Sequence, residues 1–203
     1  MWPGWIPKGG QGMNYKALTA IAVVLSLPLS AFADADDDTL VINEEDTLVT
    51  KTAAPAHVSD VLDEVMSGWH FRSDETQALQ MDDFENPAMV FVDKAADAWN
   101  TAEGSEGKSC QSCHDDVEES MAGVRAVYPK WNEEAGELRT LAMQVNDCRE
   151  NQMGAEKWKY TGGSMTAMEA LISVQSRGMP VNVAIDGPVR EMWEQGKEMY
   201  YSR

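Results

Sequence analysis

The feature that most constrains this chain is a pair of cysteines separated by two residues and followed directly by a histidine, Cys110-Gln111-Ser112-Cys113-His114. Two thiols at this spacing can bond to the vinyl groups of a haem, and the adjacent histidine then binds the iron from one side. A thioredoxin-like redox pair would expect a βαβ context, and a zinc site would need a second ligand pair. The motif therefore predicts one covalently attached haem c, with Cys110 and Cys113 as its attachment points and His114 as a ligand to the iron.

The first 33 residues are typical of an exported protein. Lys16 precedes an apolar run over residues 17–29, and the Ala-Phe-Ala of residues 31–33 predicts signal cleavage after it. This run is shorter than the roughly 20 residues that cross a bilayer, so we expect no membrane span after cleavage. Translation is predicted to start at Met13, which leaves residues 1–12 as a doubtful extension and residues 13–33 as the signal peptide. Export of this kind predicts a periplasmic protein, a location that suits covalent haem attachment.

Charge restricts the partners that the chain can bind. It carries 34 acidic and 16 basic residues, a formal net charge of −18 at pH 7. So negative a surface excludes nucleic acid as a partner, because phosphate backbones repel it. The acidic residues begin directly after the signal, and residues 34–56 lack aromatic side chains. We therefore predict that residues 34–56 form a mobile tail.

The rest of the chain has the hydrophobic spacing of helices joined by long connections, with no convincing strand hairpin. The predicted fold class is all-α, a cytochrome c-like haem domain over residues 57–185, whose core is formed largely by the haem. The predicted helices are a short one over residues 58–66, one opened by Asn86-Pro87 and carrying Phe91, Ala95, Ala98 and Trp99, one from near Asn132 to Gly154 carrying Leu138, Leu141, Val145 and Cys148, and one from Ser164 to Gly178.

The C-terminal segment repeats the helix that precedes the haem motif. Gly187-Pro188 predicts a helix that ends near Tyr200, and its length and closing aromatic match those of the helix from Pro87 to Trp99. Residues 186–203 are thus predicted to begin a second cytochrome c-like domain, truncated before a second haem site. The same offset would place that second attachment motif beyond Arg203.

The second ligand to the haem iron is open on the residues alone, because methionine, histidine and thiolate all occupy such positions. The chain has 13 methionines, but those such as Met143, Met165 and Met168 lie at spacings where methionine simply fills a core. His70 lies upstream of the motif. Cys148 is the cysteine left over after the haem takes two, and it lies on an apolar helical stripe beside Arg149. It is either an axial ligand or a buried, inert thiol.

Four segments carry a resemblance to a known family: residues 71–77, residues 82–87, the haem motif at 110–114, and Asn-Asp-Cys-Arg at 146–149. Together they resemble SoxA, the dihaem cytochrome subunit of the bacterial thiosulfate-oxidising system. The resemblance implies a SoxX-like small cytochrome c as partner and activity as an L-cysteine S-thiosulfotransferase. Such an enzyme oxidatively couples thiosulfate to a cysteine of a SoxYZ-like carrier protein and passes electrons to haem. It also implies that Cys148 and His114 are the two axial ligands.

The resemblance locates the reaction outside this chain. In the family, the catalytic haem and its cysteine ligand lie in the second cytochrome domain, so we expect no catalytic residue here and no activity from this chain alone. The first haem is then an auxiliary electron carrier or a structural element. An alternative function, from another class, is that of a free-standing monohaem c-type electron-transfer cytochrome.

Overall fold

The computed structural model describes residues 39–202, and the extension and signal peptide predicted over residues 1–33 lie outside this range. Within the described range, two two-stranded antiparallel sheets, β1–β2 and β3–β4, precede four helices, and a third such sheet, β5–β6, separates these helices from the last three. The strands are β1 (Thr39–Ile42), β2 (Asp46–Val49), β3 (Lys51–Ala53), β4 (Glu64–Met66), β5 (Lys130–Asn132) and β6 (Glu137–Arg139). The helices are α1 (Asp74–Met81), α2 (Met89–Asn100), α3 (Gln111–His114), α4 (Val117–Ser120), α5 (Leu141–Asn151), α6 (Gly163–Val174) and α7 (Arg190–Tyr201), with 3₁₀ turns at Gly68–Phe71, Arg125–Val127 and Gly187–Val189.

Helices α2 and α6 form the apolar core beside the haem motif. On α2 the predicted stripe is confirmed at Ala95 and Trp99, both buried, while Phe91 is exposed and its neighbour Val92 packs inward instead. Helix α2 begins at Met89, two residues after Pro87, and in the turn before it the Asn86 side chain accepts the Ala88 N–H at 3.0 Å. The buried residues of this core cluster are Val92, Ala95, Trp99, Met121, Leu141, Met168, Leu171 and Ile172.

The predicted mobile tail is wrong over the described part of residues 34–56. Strands β1 and β2 pair from Thr39 opposite Val49 to Ile42 opposite Asp46, with Leu40 and Ile42 buried. Composition averaged over the segment hid this alternation of apolar and outward-facing residues, which is the period of a half-buried strand. Asn43 and Glu44 form the turn with positive φ angles of 53° and 61°.

One predicted helix is absent from the described residues, and another begins later than predicted. Residues 58–66 form a turn followed by β4, whose Met66 lies opposite Lys51 of β3. The helix predicted from Asn132 begins nine residues later, because Asn132 and Leu138 lie in the β5–β6 hairpin. Thr140 then caps α5 by accepting the Met143 N–H at 3.2 Å.

The helices after the haem motif follow the prediction more closely. Helix α6 buries Met165 and Met168 as expected, although Gly162 rather than Ser164 occupies its N-cap position. Helix α7 extends to Tyr201, close to the predicted end near Tyr200. The predicted helices around the haem motif are thus present, but the expectation of no strand hairpin is wrong, because residues 39–202 contain three small antiparallel sheets. None of the helices in residues 39–202 is long and apolar enough to cross a membrane.

Asp83 joins the N-terminal hairpin to the end of the α6 region. Its carboxylate accepts two hydrogen bonds from the Arg177 guanidinium, at 2.8 and 2.9 Å, and one from the Asn43 amide at 3.0 Å. The Arg177 hydrogen bond is the main reason why the pKa of Asp83 lies below its usual value. Because Asn43 lies in the β1–β2 turn, its bond to Asp83 and the bidentate Asp83–Arg177 pair together fix that turn against the helical core.

Two glycines allow the loop before the haem motif to cross the end of α5 at close range. Gly104 and Gly154 have φ angles of +71° and +62°, a region that favours glycine. The Ser105 N–H donates to the Gly154 carbonyl at 3.2 Å, and the Glu106 N–H donates to the Met153 carbonyl at 3.1 Å. A Cβ on Gly104 would strike the Met153 carbonyl oxygen. This crossing therefore sets the distance between the haem-motif loop and the helix that carries Cys148.

Gly104→Ala is expected to lower the free energy of unfolding of the haem-loaded protein by about 3 kcal/mol, since it adds a backbone clash to an unfavourable φ angle. Gly107→Ala is the matched control. Gly107 has a similar φ of +59° but open space around its Cβ position, so we expect a loss of about 1 kcal/mol. Guanidinium unfolding monitored by far-UV circular dichroism checks both values. Equal losses would show that the close crossing contributes nothing.

Asp83→Asn is expected to lower the free energy of unfolding by about 2 kcal/mol at pH 7, because it removes one charge of a largely shielded pair. The folded pKa of Asp83 is depressed, so its stabilisation is complete above the unfolded value of 3.8 and is lost as the pH falls through the folded value. The difference between wild type and Asp83→Asn should therefore narrow below about pH 3.8. Asp93→Asn is the control, because Asp93 is an exposed carboxylate on α2. If the difference in unfolding free energy between wild type and Asp83→Asn did not change with pH, the prediction would be contradicted.

Candidate haem-binding site

The haem motif forms the single-turn helix α3, which a closed serine network holds in place. The Ser112 hydroxyl donates to the Ser109 carbonyl at 2.7 Å and accepts the Ser109 N–H at 2.8 Å. The Ser112 N–H in turn donates to the Ser109 hydroxyl at 3.1 Å. Ser112, one of the two residues between the cysteines, thus shapes the turn. The shape of the turn fixes the directions in which the Cys110 and Cys113 side chains point.

Trp99 of α2 supports the histidine end of the motif. Its indole Nε1–H donates to the Asp115 carbonyl at 3.0 Å, and its ring centroid lies 5.8 Å from that of His114. Asp115 has a φ of +57°, an uncommon conformation for a residue with a side chain. Because Trp99 is only 3% exposed, this hydrogen bond anchors the backbone directly after His114 to the core.

A cavity of about 420 Å³ brings together the four residues predicted as site residues, Cys110, Cys113, His114 and Cys148. Its size lies within the range of roughly 300–1,000 Å³ that is common for cofactor sites. The walls are mostly apolar and come from α2, α3, α5 and α6 and from the loops between the helices. Further lining residues are Trp99, Met121, Gln144, Arg149, Met153, Trp158 and Met168.

In the Asn-Asp-Cys-Arg segment of α5, each residue makes a different contact. Asn146, 2% exposed, accepts the Trp158 N–H at 2.8 Å and donates to the Trp158 carbonyl at 2.9 Å. Asp147 pairs with Arg139 of β6 at 3.1 Å. These two contacts restrain α5 directly before Cys148, which lines the cavity.

Arg149 places a buried positive charge beside the thiols. Its guanidinium donates to a Glu103 carboxylate oxygen at 2.7 Å and to the Glu156 carbonyl at 3.0 Å, and it stacks on the Trp158 ring at 3.8 Å. The side chain is 6% exposed, and all these partners restrict its position. Sequence reasoning placed Arg149 next to Cys148, but the partners that bury it lie 46 residues upstream and 7 to 9 residues downstream.

Burial raises the pKa values of the Cys110 and Cys148 thiols above their ordinary value. Each is raised further by another cavity thiol, Cys110 by Cys148 and Cys148 by Cys113. Arg149 opposes the effect at Cys110, and a hydrogen bond from Gln144 opposes it at Cys148. The two thiols of the motif and the thiol of α5 line the same cavity, which is why their charges interact.

The structure also separates the alternative ligands. Met121, Met153 and Met168 line the cavity along with Cys148, whereas Met143 does not. His70 is absent from the lining and stacks edge-on against Trp69 instead. Sequence reasoning missed Gln144, whose amide lies 3.6 Å from the Cys148 sulfur. Its position four residues before Cys148 on the same helix was the signal that could have identified it.

The residues present fit a covalently attached haem. Two thiols come from one turn, an imidazole follows them, and a third thiol and several methionines supply candidate ligands from other parts of the wall. The apolar lining suits a large flat macrocycle, and the buried Arg149 offers a cation for negative charge.

A family model described as "SoxA/TsdA, cytochrome c domain" matches residues 94–181, which include the haem motif and Cys148. The L-cysteine S-thiosulfotransferase subunit SoxA of Rhodovulum sulfidophilum is 53% identical over 188 residues, which cover 92% of this chain and 66% of that protein. The corresponding subunit of Paracoccus pantotrophus is 52% identical over 189 residues, covering 92% of this chain and 65% of the relative.

Structural similarity agrees with these sequence matches. The crystal structure of SoxXA from P. pantotrophus contains a chain that matches with a TM-score of 0.75 and 53% identity, over 81% of this chain and 63% of that one. The chain thus spans just under two thirds of the length of these relatives. Over the matched residues the resemblance to SoxA and the cytochrome c-like fold are confirmed, and residues 94–181 match the SoxA/TsdA cytochrome c domain.

Proposed function

We propose that this domain holds one haem c, bonded through Cys110 and Cys113 and ligated by His114. The observation that carries the proposal is the meeting of these residues with Cys148 around one apolar cavity, in a chain 53% identical to a SoxA subunit. When bound, haem supplies one-electron oxidation and reduction. The protein's contribution is to hold the thiols on α3, to orient His114 against Trp99 and to exclude water with the α2 and α6 side chains.

We further propose that Cys148 is the second axial ligand. Cys148 reaches the cavity from α5, a helix that is separate from α3 and is fixed by Asn146 and Asp147. Its thiol receives a hydrogen bond from Gln144, and the positive charge of Arg139 opposes the rise that burial gives its pKa. Both features favour a negatively charged sulfur, which a methionine ligand would not require.

The intact subunit is proposed to act in an L-cysteine S-thiosulfotransferase. In that reaction a disulfide-type S–S bond forms between thiosulfate and a cysteine of a SoxYZ-like carrier, the thiol proton leaves, and two electrons pass to an acceptor. A SoxX-like small cytochrome c is the proposed partner, and the periplasm the proposed location. The domain described here holds the first, non-catalytic haem. A second haem is expected in a longer protein, in a second domain that begins with residues 186–203.

Cys148→Ala is expected to abolish the low-spin thiolate signal of the ferric protein in electron paramagnetic resonance. Wild type should show that signal, with one haem per described domain in the pyridine haemochrome assay. Cys148→Met tests whether a neutral sulfur restores a low-spin spectrum of different g values. An unchanged spectrum in Cys148→Ala would overturn the ligand proposal and favour a methionine of the cavity wall.

The subunit encoded by the intact gene, copurified with its small cytochrome partner, is expected to add thiosulfate to the carrier's cysteine when oxidised cytochrome c is the acceptor. Mass spectrometry of the carrier detects the adduct, and the acceptor should gain two electrons per adduct. A carrier with its cysteine changed to serine is the control. Electron exchange with the acceptor but no adduct would contradict the proposal and favour a free-standing monohaem carrier.

A further inference from the structure

A chain of hydrogen bonds leads from two carboxylates to the Cys148 sulfur. The Gln144 amide Nε2 lies 3.6 Å from Cys148 Sγ, and the Gln144 Oε1 accepts from Arg139 Nη1 at 3.2 Å. Arg139 is itself paired with Glu137 at 2.9 Å and with Asp147 at 3.1 Å. The chain thus runs from β6 along the start of α5 to the cavity wall.

The fold leaves Gln144 little freedom to point elsewhere. It lies four residues before Cys148 on α5, so the two side chains occupy the same face of the helix. Because Arg139 can only donate, it must face the amide oxygen of Gln144, which turns the amide N–H₂ toward the sulfur. The Arg139 side chain is 13% exposed, and Thr140, the next residue, caps α5. The orientation of the donor is therefore set by neighbouring structure.

We propose that Gln144 is a positioning residue that donates a hydrogen bond to the Cys148 sulfur in the haem-bound protein and raises the haem reduction potential. Arg139 holds the amide and polarises it. This inference rests on the proposed role of Cys148 as the second axial ligand.

The direction of the effect follows from the charge on the sulfur. A thiolate donates electron density to iron and favours the ferric form. A hydrogen bond to that sulfur stabilises its negative charge and weakens the donation, which favours the ferrous form. The contact with Arg139 strengthens Gln144 as a donor, because hydrogen bonds in a chain polarise one another.

Gln144→Met is the most direct test, since it keeps the length and neutrality of the side chain and removes the donor. In the haem-loaded protein we expect the equilibrium constant for reduction to fall about tenfold, a shift of about 59 mV for one electron. The thiolate signal should remain, with altered g values. In protein exchanged into D₂O, pulsed electron paramagnetic resonance should detect a deuteron coupled to the ferric haem in wild type and lose it in Gln144→Met.

The matched control is Gln195→Met, the same substitution at an exposed amide of α7 outside the cavity wall, for which no shift is expected. Gln144→Leu should reproduce the shift and serves as the second variant if Gln144→Met does not retain haem. A wild-type thiolate signal combined with an unchanged potential in the Gln144 variant that retains haem would overturn this inference alone. Absence of the thiolate signal from wild type would overturn the proposed ligand and this inference together.

Discussion

The haem site depends first on the pair of hydrogen bonds that the buried Asn146 makes with the backbone of Trp158. A side-chain amide that bonds to both the N–H and the carbonyl of one residue replaces the backbone partner that a neighbouring strand would supply. Losing either bond would leave a buried polar group unpaired, which costs free energy. This contact fastens the loop after α5 to the middle of that helix. Trp158 is then available as the surface on which Arg149 stacks. Cys148 therefore lies, along α5, between two residues that both contact Trp158, Asn146 and Arg149.

Charge is distributed unevenly around the site. The chain as a whole is strongly acidic, yet two arginines with little exposure act on the cavity thiols, Arg139 on Cys148 and Arg149 on Cys110. Each arginine is paired with more exposed carboxylates, Arg139 with Glu137 and Asp147 and Arg149 with Glu103. The cavity thiols therefore experience the cationic ends of ion pairs whose anionic ends are more exposed to solvent. Such an arrangement favours negative charge inside the cavity without making the domain basic.

The parts of the fold that could be predicted from the sequence are those with a long, regular period or a fixed motif. The buried Ala95 and Trp99 of α2, the core of α6 and the haem motif belong to this group. The β1–β2 hairpin could not be predicted from average composition, because β1 buries only two alternate side chains, Leu40 and Ile42, and β2 buries none. Nor could the contacts of Arg149 and Asp83, since their partners lie 46 and 94 residues away and depend on tertiary packing.

The Asp83–Arg177 pair has a consequence for the order in which the chain assembles. It joins residues 94 positions apart, and one residue of the pair lies before the haem motif while the other lies after α6. A contact of such separation stabilises the chain only after the entropy of closing the intervening loop has been overcome. Everything that surrounds the cavity lies inside that loop. We therefore expect the pair to form after the residues around the cavity have packed, so that the N-terminal hairpin docks last.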